Sequence, residues 1–224
     1  MDRCRLPIIH TDSTMTTAAP PTIIILPGLY NSGAGHWQTL WEASFSNAVR
    51  IQQNNWNEPH RTDWVTTLDV AIANTNGSII LAAHSLGCAT TVWWATRRHK
   101  HSPHAAKVKG ALLVAPPDIE QANFPAFATG FAPLPLSPLP FNSIVVASSD
   151  DPWCVSLARV QSWAAAWGAE FHDIGPRGHI NGDSGLGDWP QGRQWLANLM
   201  RDERPAVPAV QGTRTGFVFG SQDD

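Results

Sequence analysis

The run Ile79-Ile80-Leu81-Ala82-Ala83-His84-Ser85-Leu86-Gly87 constrains this chain more than any other segment. Ser78 to Ala83 reads as a buried strand, and Leu86 to Arg98 reads as a helix that begins with almost no linker. A serine is left at the turn between them. So tight a strand-to-helix turn needs small residues two before and two after the serine, because backbone closely approaches backbone there. Ala83 and Gly87 hold those positions, which makes the pattern G-x-S-x-G with alanine in the first place. A methyl group is the smallest side chain a chiral residue can carry, so the departure is slight. The turn sets a hydroxyl beside the unpaired N–H of Leu86 and the positive end of a helix, where negative charge is stabilised. Serine is also a favoured helix N-cap, so this segment by itself leaves both a chemical and a structural use for Ser85 open.

The rest of the chain repeats the strand-then-helix pattern. Thr22 to Leu26 is a β-branched run suited to a buried parallel strand, followed by a loop over Pro27 to His36 and an amphipathic stretch over Trp37 to Ser46. A weak strand surrounds Val49 to Gln52. Asp63 to Ala73 carries Trp64, Val65, Leu68 and Ile72 at helical spacing. Val108 to Ala115 and Ser143 to Ala147 are further strands, separated by a Pro-rich segment whose Phe124, Phe127 and Phe131 are candidates for a pocket wall. Val155 to Trp167 reads as a helix, Glu170 to Ile174 as a last strand and Trp189 to Met200 as a last helix. Alternation of this kind predicts an α/β fold, a mostly parallel sheet with helices on both faces. The expected division is a disordered leader over 1–21, one domain over 22–202 and a flexible tail over 203–224. Met15 is an alternative start to Met1, and Phe217-Val218-Phe219 is the one apolar patch of the tail.

Two later strand ends supply an acid and a base. After the strand near Ala147 comes Ser148-Ser149-Asp150-Asp151-Pro152, and after the strand near Ile174 comes Gly175-Pro176-Arg177-Gly178-His179. The order serine, carboxylate, histidine, each following a strand, is the order in which an acyl-transfer triad is laid out on a parallel sheet. Asp150 and Asp151 compete for the acid; Pro152 pushes Asp151 toward an extended backbone leaving the strand. The loop Pro27-Gly28-Leu29-Tyr30-Asn31 is the place for a second oxyanion donor, with Leu29 N–H beside that of Leu86. His36 is expected to position the helix after it. Cys88 lies one helical turn beyond Ser85 but without a placed base.

Composition removes several alternatives. Net charge is −3, which offers no electrostatic reason to bind nucleic acid or an anionic membrane. Three widely spaced cysteines form no Cys-x-x-Cys pair, so neither a disulfide framework nor a zinc site is expected, and a reducing, cytoplasmic setting is. His99, His101 and His104 read as a solvated helix terminus, and no metal or cofactor is expected. A small-molecule acyl substrate is the expected partner; oligomeric state is open. Eleven tryptophans against one tyrosine read as packing of helices onto the sheet. A binding or scaffold protein on the same fold is the competing reading.

Several short pieces, in order, resemble one family. They are Leu26-Pro27-Gly28 with Gly35-His36-Trp37, Asp63-Trp64, His84-Ser85-Leu86-Gly87, Asp150-Asp151-Pro152, Gly178-His179-Ile180-Asn181, and Ser184-Gly185 through Trp189-Pro190. Between Ile23 and Leu199 the chain resembles the small serine-hydrolase family that includes the bacterial YdeN-like proteins and retinoblastoma-binding protein nine. The resemblance implies an α/β-hydrolase fold without a large cap domain, a triad of Ser85, Asp151 and His179, and hydrolysis of carboxylic ester or related acyl bonds.

Overall fold

The computed structural model describes residues 19–201. Most of the expected leader and the whole of the expected tail over 203–224, Phe217-Val218-Phe219 included, fall outside these residues. Among the described residues six strands form one sheet: β1 (Thr22–Leu26), β2 (Ala48–Arg50), β3 (Ile79–His84), β4 (Val108–Val114), β5 (Asn142–Ala147) and β6 (Glu170–Asp173). Their order is β2-β1-β3-β4-β5-β6, and every pairing is parallel. The alternation read from the sequence therefore corresponds to the α/β-hydrolase architecture, with no large cap domain among the described residues.

Among the described residues five α-helices cover the two faces: α1 (Trp37–Ser44), α2 (Arg61–Asn74), α3 (Leu86–Trp93), α4 (Leu157–Trp167) and α5 (Pro190–Arg201). Successive residues of a strand point to opposite faces. Ile24 and Leu26 accordingly pack with the side chains of α2, α3 and α4, while Ile23 and Ile25 pack with those of α1 and α5. β3 is buried along its whole length, which is why it reads as an unbroken apolar run rather than an alternating one. The helix expected over 86–98 is α-helical to Trp93 and continues as a π-helical turn over Trp94–Arg98. Among the described residues no helix is long and apolar enough to cross a membrane.

The tryptophans do pack helices onto the sheet, and many also fasten loops. Trp37, Trp41, Trp64, Trp94 and Trp167 are fully buried. A buried indole N–H needs an acceptor. That of Trp37 donates to Ile180 O at 3.0 Å, Trp41 to Asp188 O at 2.8 Å, Trp93 to Phe131 O at 2.7 Å and Trp167 to Pro135 O at 2.8 Å.

The strand order reverses direction after β1. The chain runs outward to β2, then returns past β1 to β3. At such a reversal the loops leaving the two neighbouring strands part, and a crevice opens at their carboxyl ends. The two strands are β1, which leads into Leu29, and β3, which leads into Ser85.

Candidate active site

Ser85 occupies the turn in a conformation few side chains adopt, with φ 53° and ψ −125°. Backbone of this kind costs about 1–3 kcal/mol and persists only where its surroundings enforce it. Ser85 N–H donates to Val114 O at 2.9 Å, which ties the turn to β4. A Cβ added to Gly87 would lie 2.4 Å from Leu26 O and 2.9 Å from Pro27 O, so only glycine lets α3 start against the end of β1. A Cβ on Gly28 would lie 2.6 Å from the Cβ of Ser85. Ala83, the departure from G-x-S-x-G, is buried and pairs in register with Leu26.

The loop after β1 is held open by two polar side chains that sequence reasoning passed over. Gln38, fully buried on α1, donates to Leu26 O at 3.0 Å and Ala82 O at 2.9 Å, and accepts from the Ser32 hydroxyl at 2.7 Å. Arg50, at the end of β2, donates to Asn31 Oδ1, Ser32 O and Thr39 Oγ1 and pairs with Glu42 at 2.8 Å. Tyr30 and Asn31 both take positive φ, 63° and 65°. Between these fixed points the N–H groups of Leu29 and Leu86 donate to no acceptor among the described residues, and both residues line the same cavity.

His179 stands between the serine and one of the two aspartates. Ser85 Oγ lies 2.8 Å from His179 Nε2, and His179 Nδ1 lies 2.9 Å from both Oδ1 and Oδ2 of Asp151. The carboxylate only accepts, so Nδ1 carries the proton and Nε2 is free to accept from the hydroxyl. Asp151 is buried, and Trp153 N–H donates to its Oδ1 at 2.9 Å. Asp150 is exposed and turned elsewhere. Its Oδ1 accepts from the Ser148 hydroxyl and from Gly178 N–H, both at 2.7 Å. These bonds, the Ser148 hydroxyl first, hold the Asp150 carboxyl below the usual carboxylate range. Asp150 thus links the β5 loop to the β6 loop, rather than only turning its own backbone.

Two further histidines stand behind His179. His84 Nε2–H donates to the backbone oxygen of His179 at 2.8 Å, and their rings meet edge to face at 4.9 Å. His36 meets His84 in the same manner at 4.6 Å. His36 caps α1 as expected: its Nδ1 accepts from Gln38 N–H at 3.1 Å. The Nε2 of His36 is buried without a hydrogen-bond partner among the described residues. Burial, then Arg50, then His179 push the His36 pKa down to about 3. Burial above all, then His36 and His179, hold His84 well below the ordinary histidine value. Both rings are therefore neutral near pH 7.

A cavity of about 480 Å³ opens over Ser85. Tyr30, Leu86, Phe124, Pro125 and Trp153 give it an apolar wall, and Gly33 to Gly35 with Asn181 to Asp183 give it a polar one. Of the three phenylalanines expected as a wall, only Phe124 lines it. Phe131 is fully buried against Trp64, and Phe127 faces Tyr30 at the surface. Cys88 is buried, its thiol directed at Ala83 O and Val114 O, and burial pushes its pKa far up, which leaves it no nucleophile. Among the described residues no group of three His, Cys, Asp or Glu could hold a metal ion.

Known proteins share both the sequence pattern and the fold. The family described as serine hydrolase matches residues 23–198. A solved structure described as a YdeN-like hydrolase from Pectobacterium atrosepticum is 30% identical, with 81% of this chain and 91% of that one covered and a TM-score of 0.69. The ydeN gene product from B. subtilis is 19% identical, covers 81% of this chain and 100% of its own, and has a TM-score of 0.59. BorB, a type II thioesterase from the borrelidin cluster, is 16% identical, with 83% and 94% covered and a TM-score of 0.56. The last two show a shared fold alone. No curated protein matches the chain.

Proposed function

Because the chain belongs to the serine hydrolase family, and is an enzyme of that kind, we propose that it cleaves carboxylic ester or related acyl bonds of small molecules through Ser85, His179 and Asp151. One observation carries this reading: an unbroken line of hydrogen bonds from the Ser85 hydroxyl through His179 to Asp151, at the crevice where the strand order reverses. Ser85 Oγ attacks the acyl carbon while its proton passes to His179 Nε2. Asp151 keeps the proton on Nδ1 and stabilises the imidazolium as it forms. The negative oxygen of the tetrahedral adduct takes hydrogen bonds from the N–H groups of Leu29 and Leu86. His179 then gives its Nε2 proton to the departing alkoxide or thiolate, leaving an acyl-serine. Water attacks that ester with its proton passing to Nε2, and collapse of the second adduct returns the proton to Oγ and releases the carboxylic acid.

The cavity fits a compact substrate, since about 480 Å³ lies toward the small end of ligand pockets. Its apolar wall favours an acyl group of alkyl or aryl character. A reducing, cytoplasmic setting accords with the free thiols of Cys88 and Cys154.

Hydrolysis of p-nitrophenyl esters of graded acyl length, together with labelling by a fluorophosphonate, tests the proposal. Ser85→Ala should abolish labelling and lower turnover by about 10⁴-fold or more. Undiminished ester hydrolysis in Ser85→Ala overturns it. Folded protein that neither hydrolyses any ester nor takes the label belongs to the competing class, a binder on a hydrolase fold.

A further inference from the structure

Four consecutive residues around the base, 177 to 180, are each fastened through the main chain by a side chain from elsewhere. Arg177 N–H donates to Ser148 Oγ at 2.8 Å, and Gly178 N–H to Asp150 Oδ1 at 2.7 Å. His179 O accepts from His84 Nε2 at 2.8 Å, and Ile180 O from Trp37 Nε1 at 3.0 Å. These side chains come from three elements: the β5 loop, the last residue of β3, and α1. Gly178 and Ile180 on either side of the base both take left-handed backbone, with φ 55° and 49°. Ile180 is β-branched, and such a residue resists that conformation. Backbone of this kind persists only where its surroundings enforce it.

We propose that Ser148, Asp150, His84 and Trp37 form a clamp that holds the strained base loop, with His84 and Asp150 acting as positioning residues for His179. His84 is suited to the part because it directly precedes the nucleophile. Its backbone is fixed by pairing with Val114, and its side chain reaches the carbonyl of the base itself. One residue therefore couples the position of the nucleophile turn to that of the base. This account also gives Asp150 and Asp151 separate work: the buried one orients the ring and the exposed one anchors the loop. The inference rests on Ser85 and His179 being the reacting pair.

The test compares substitutions that keep or lose the clamping atom. In His84→Gln the amide N–H falls near the place of Nε2; in His84→Asn the shorter amide mimics Nδ1 and cannot reach. In Asp150→Asn an amide oxygen still accepts from Gly178; in Asp150→Ala nothing does. Steady-state kinetics with a p-nitrophenyl ester, rates of fluorophosphonate labelling and melting temperatures are measured for all four. His84→Asn and Asp150→Ala should lower kcat and labelling rate by about tenfold or more, with KM within about twofold, because base placement and not substrate binding is lost. His84→Gln and Asp150→Asn should stay within about threefold of the unaltered protein. Equal losses within each pair at matched melting temperature, or a loss confined to KM, overturn the clamp. Should a variant at one position fail to fold, the pair at the other position decides by the same criteria. If Ser85→Ala is inactive while all four variants keep full kcat, only the clamp falls; if Ser85→Ala is active, the reacting pair falls with it.

Discussion

Replacing His36 by asparagine should make the folded protein markedly less sensitive to acid. His36 is 5% exposed and faces Arg50 from β2, His84 from β3 and His179 from the base loop, with the Trp37 ring beside it. Burial above all, then Arg50 and His179, disfavours a second ring proton, which would have to sit on the Nδ1 that accepts from Gln38 N–H, and the pKa falls from 6.5 to about 3. Between these values the unfolded chain binds a proton that the folded one refuses, so stability rises with pH there. The contribution is fully present above about pH 6.5 and is lost as pH falls toward 3. Its slope is about 1.4 kcal/mol per pH unit for one proton, and the whole shift is worth about 5 kcal/mol as an upper bound. His84, also held neutral, adds a slope of the same sign in both proteins. Asparagine retains an N-cap acceptor for Gln38 N–H but carries no titrating group. Urea unfolding followed by tryptophan fluorescence at about pH 7, 6, 5 and 4 reads the difference. Expected are a loss of about 1 kcal/mol in His36→Asn near neutral pH from poorer packing, and a wild-type curve that falls more steeply by about 1.4 kcal/mol per pH unit below about pH 6. Parallel stability curves for the two proteins would refute the reasoning, since they would mean that His36 takes up its proton in the folded state as easily as in the unfolded one.

Other substitutions address the site directly. Asp151→Asn should lower kcat by about 10⁴-fold, since an amide no longer enforces the tautomer with the proton on Nδ1; an esterase assay with less than a tenfold loss would return the acid role to Asp150. Gly28→Ala places a methyl against the Ser85 Cβ, which is fixed to the turn, and should cost about 10²-fold in kcat together with a lowered melting temperature. Gly87→Ala meets the Leu26 and Pro27 carbonyls, backbone that cannot swing away, and should lose about 1–3 kcal/mol or more in urea unfolding. Phe124→Ala should shift the preferred acyl length in a p-nitrophenyl ester series, and Phe127→Ala, at the surface beside Tyr30, should not.

The architecture was legible because its signals are local. The apolar runs of β1, β3, β4 and β5 mark buried strands, and each is bounded by turn residues within the chain itself. That residue 179 comes near 85 and near the Asp150-Asp151 pair is expected from one further rule, that loops leaving parallel strands meet at one edge; the preference for Asp151 leans on Pro152 and on the family resemblance. What escaped the sequence is tertiary in origin. Gln38 and Arg50 look like ordinary helix and edge-strand residues until their atoms are seen to reach the carbonyls of the loop after β1. His84 sits in plain view within the nucleophile motif, yet its use depends on where His179 O comes to lie, 95 residues onward. The tryptophans were legible as packing but not as fasteners, because indole N–H partners such as Ile180 O are set by the fold. Phe131 was indistinguishable from Phe124 in a Pro-rich segment that has no helical or strand periodicity to sort inward from outward.

The proposed reacting groups all sit on brief turns rooted directly in strands, whereas the apolar wall over Ser85 also draws Phe124 and Pro125 from the connection over 116–141. Part of the molecular selectivity is thereby written on a stretch of polypeptide that carries none of the proposed reacting groups. Exchanging that connection for one of different length or shape should alter which molecules are admitted while sparing the proposed reacting groups. Diversification of such a scaffold, whether in nature or at the bench, has one economical place to begin.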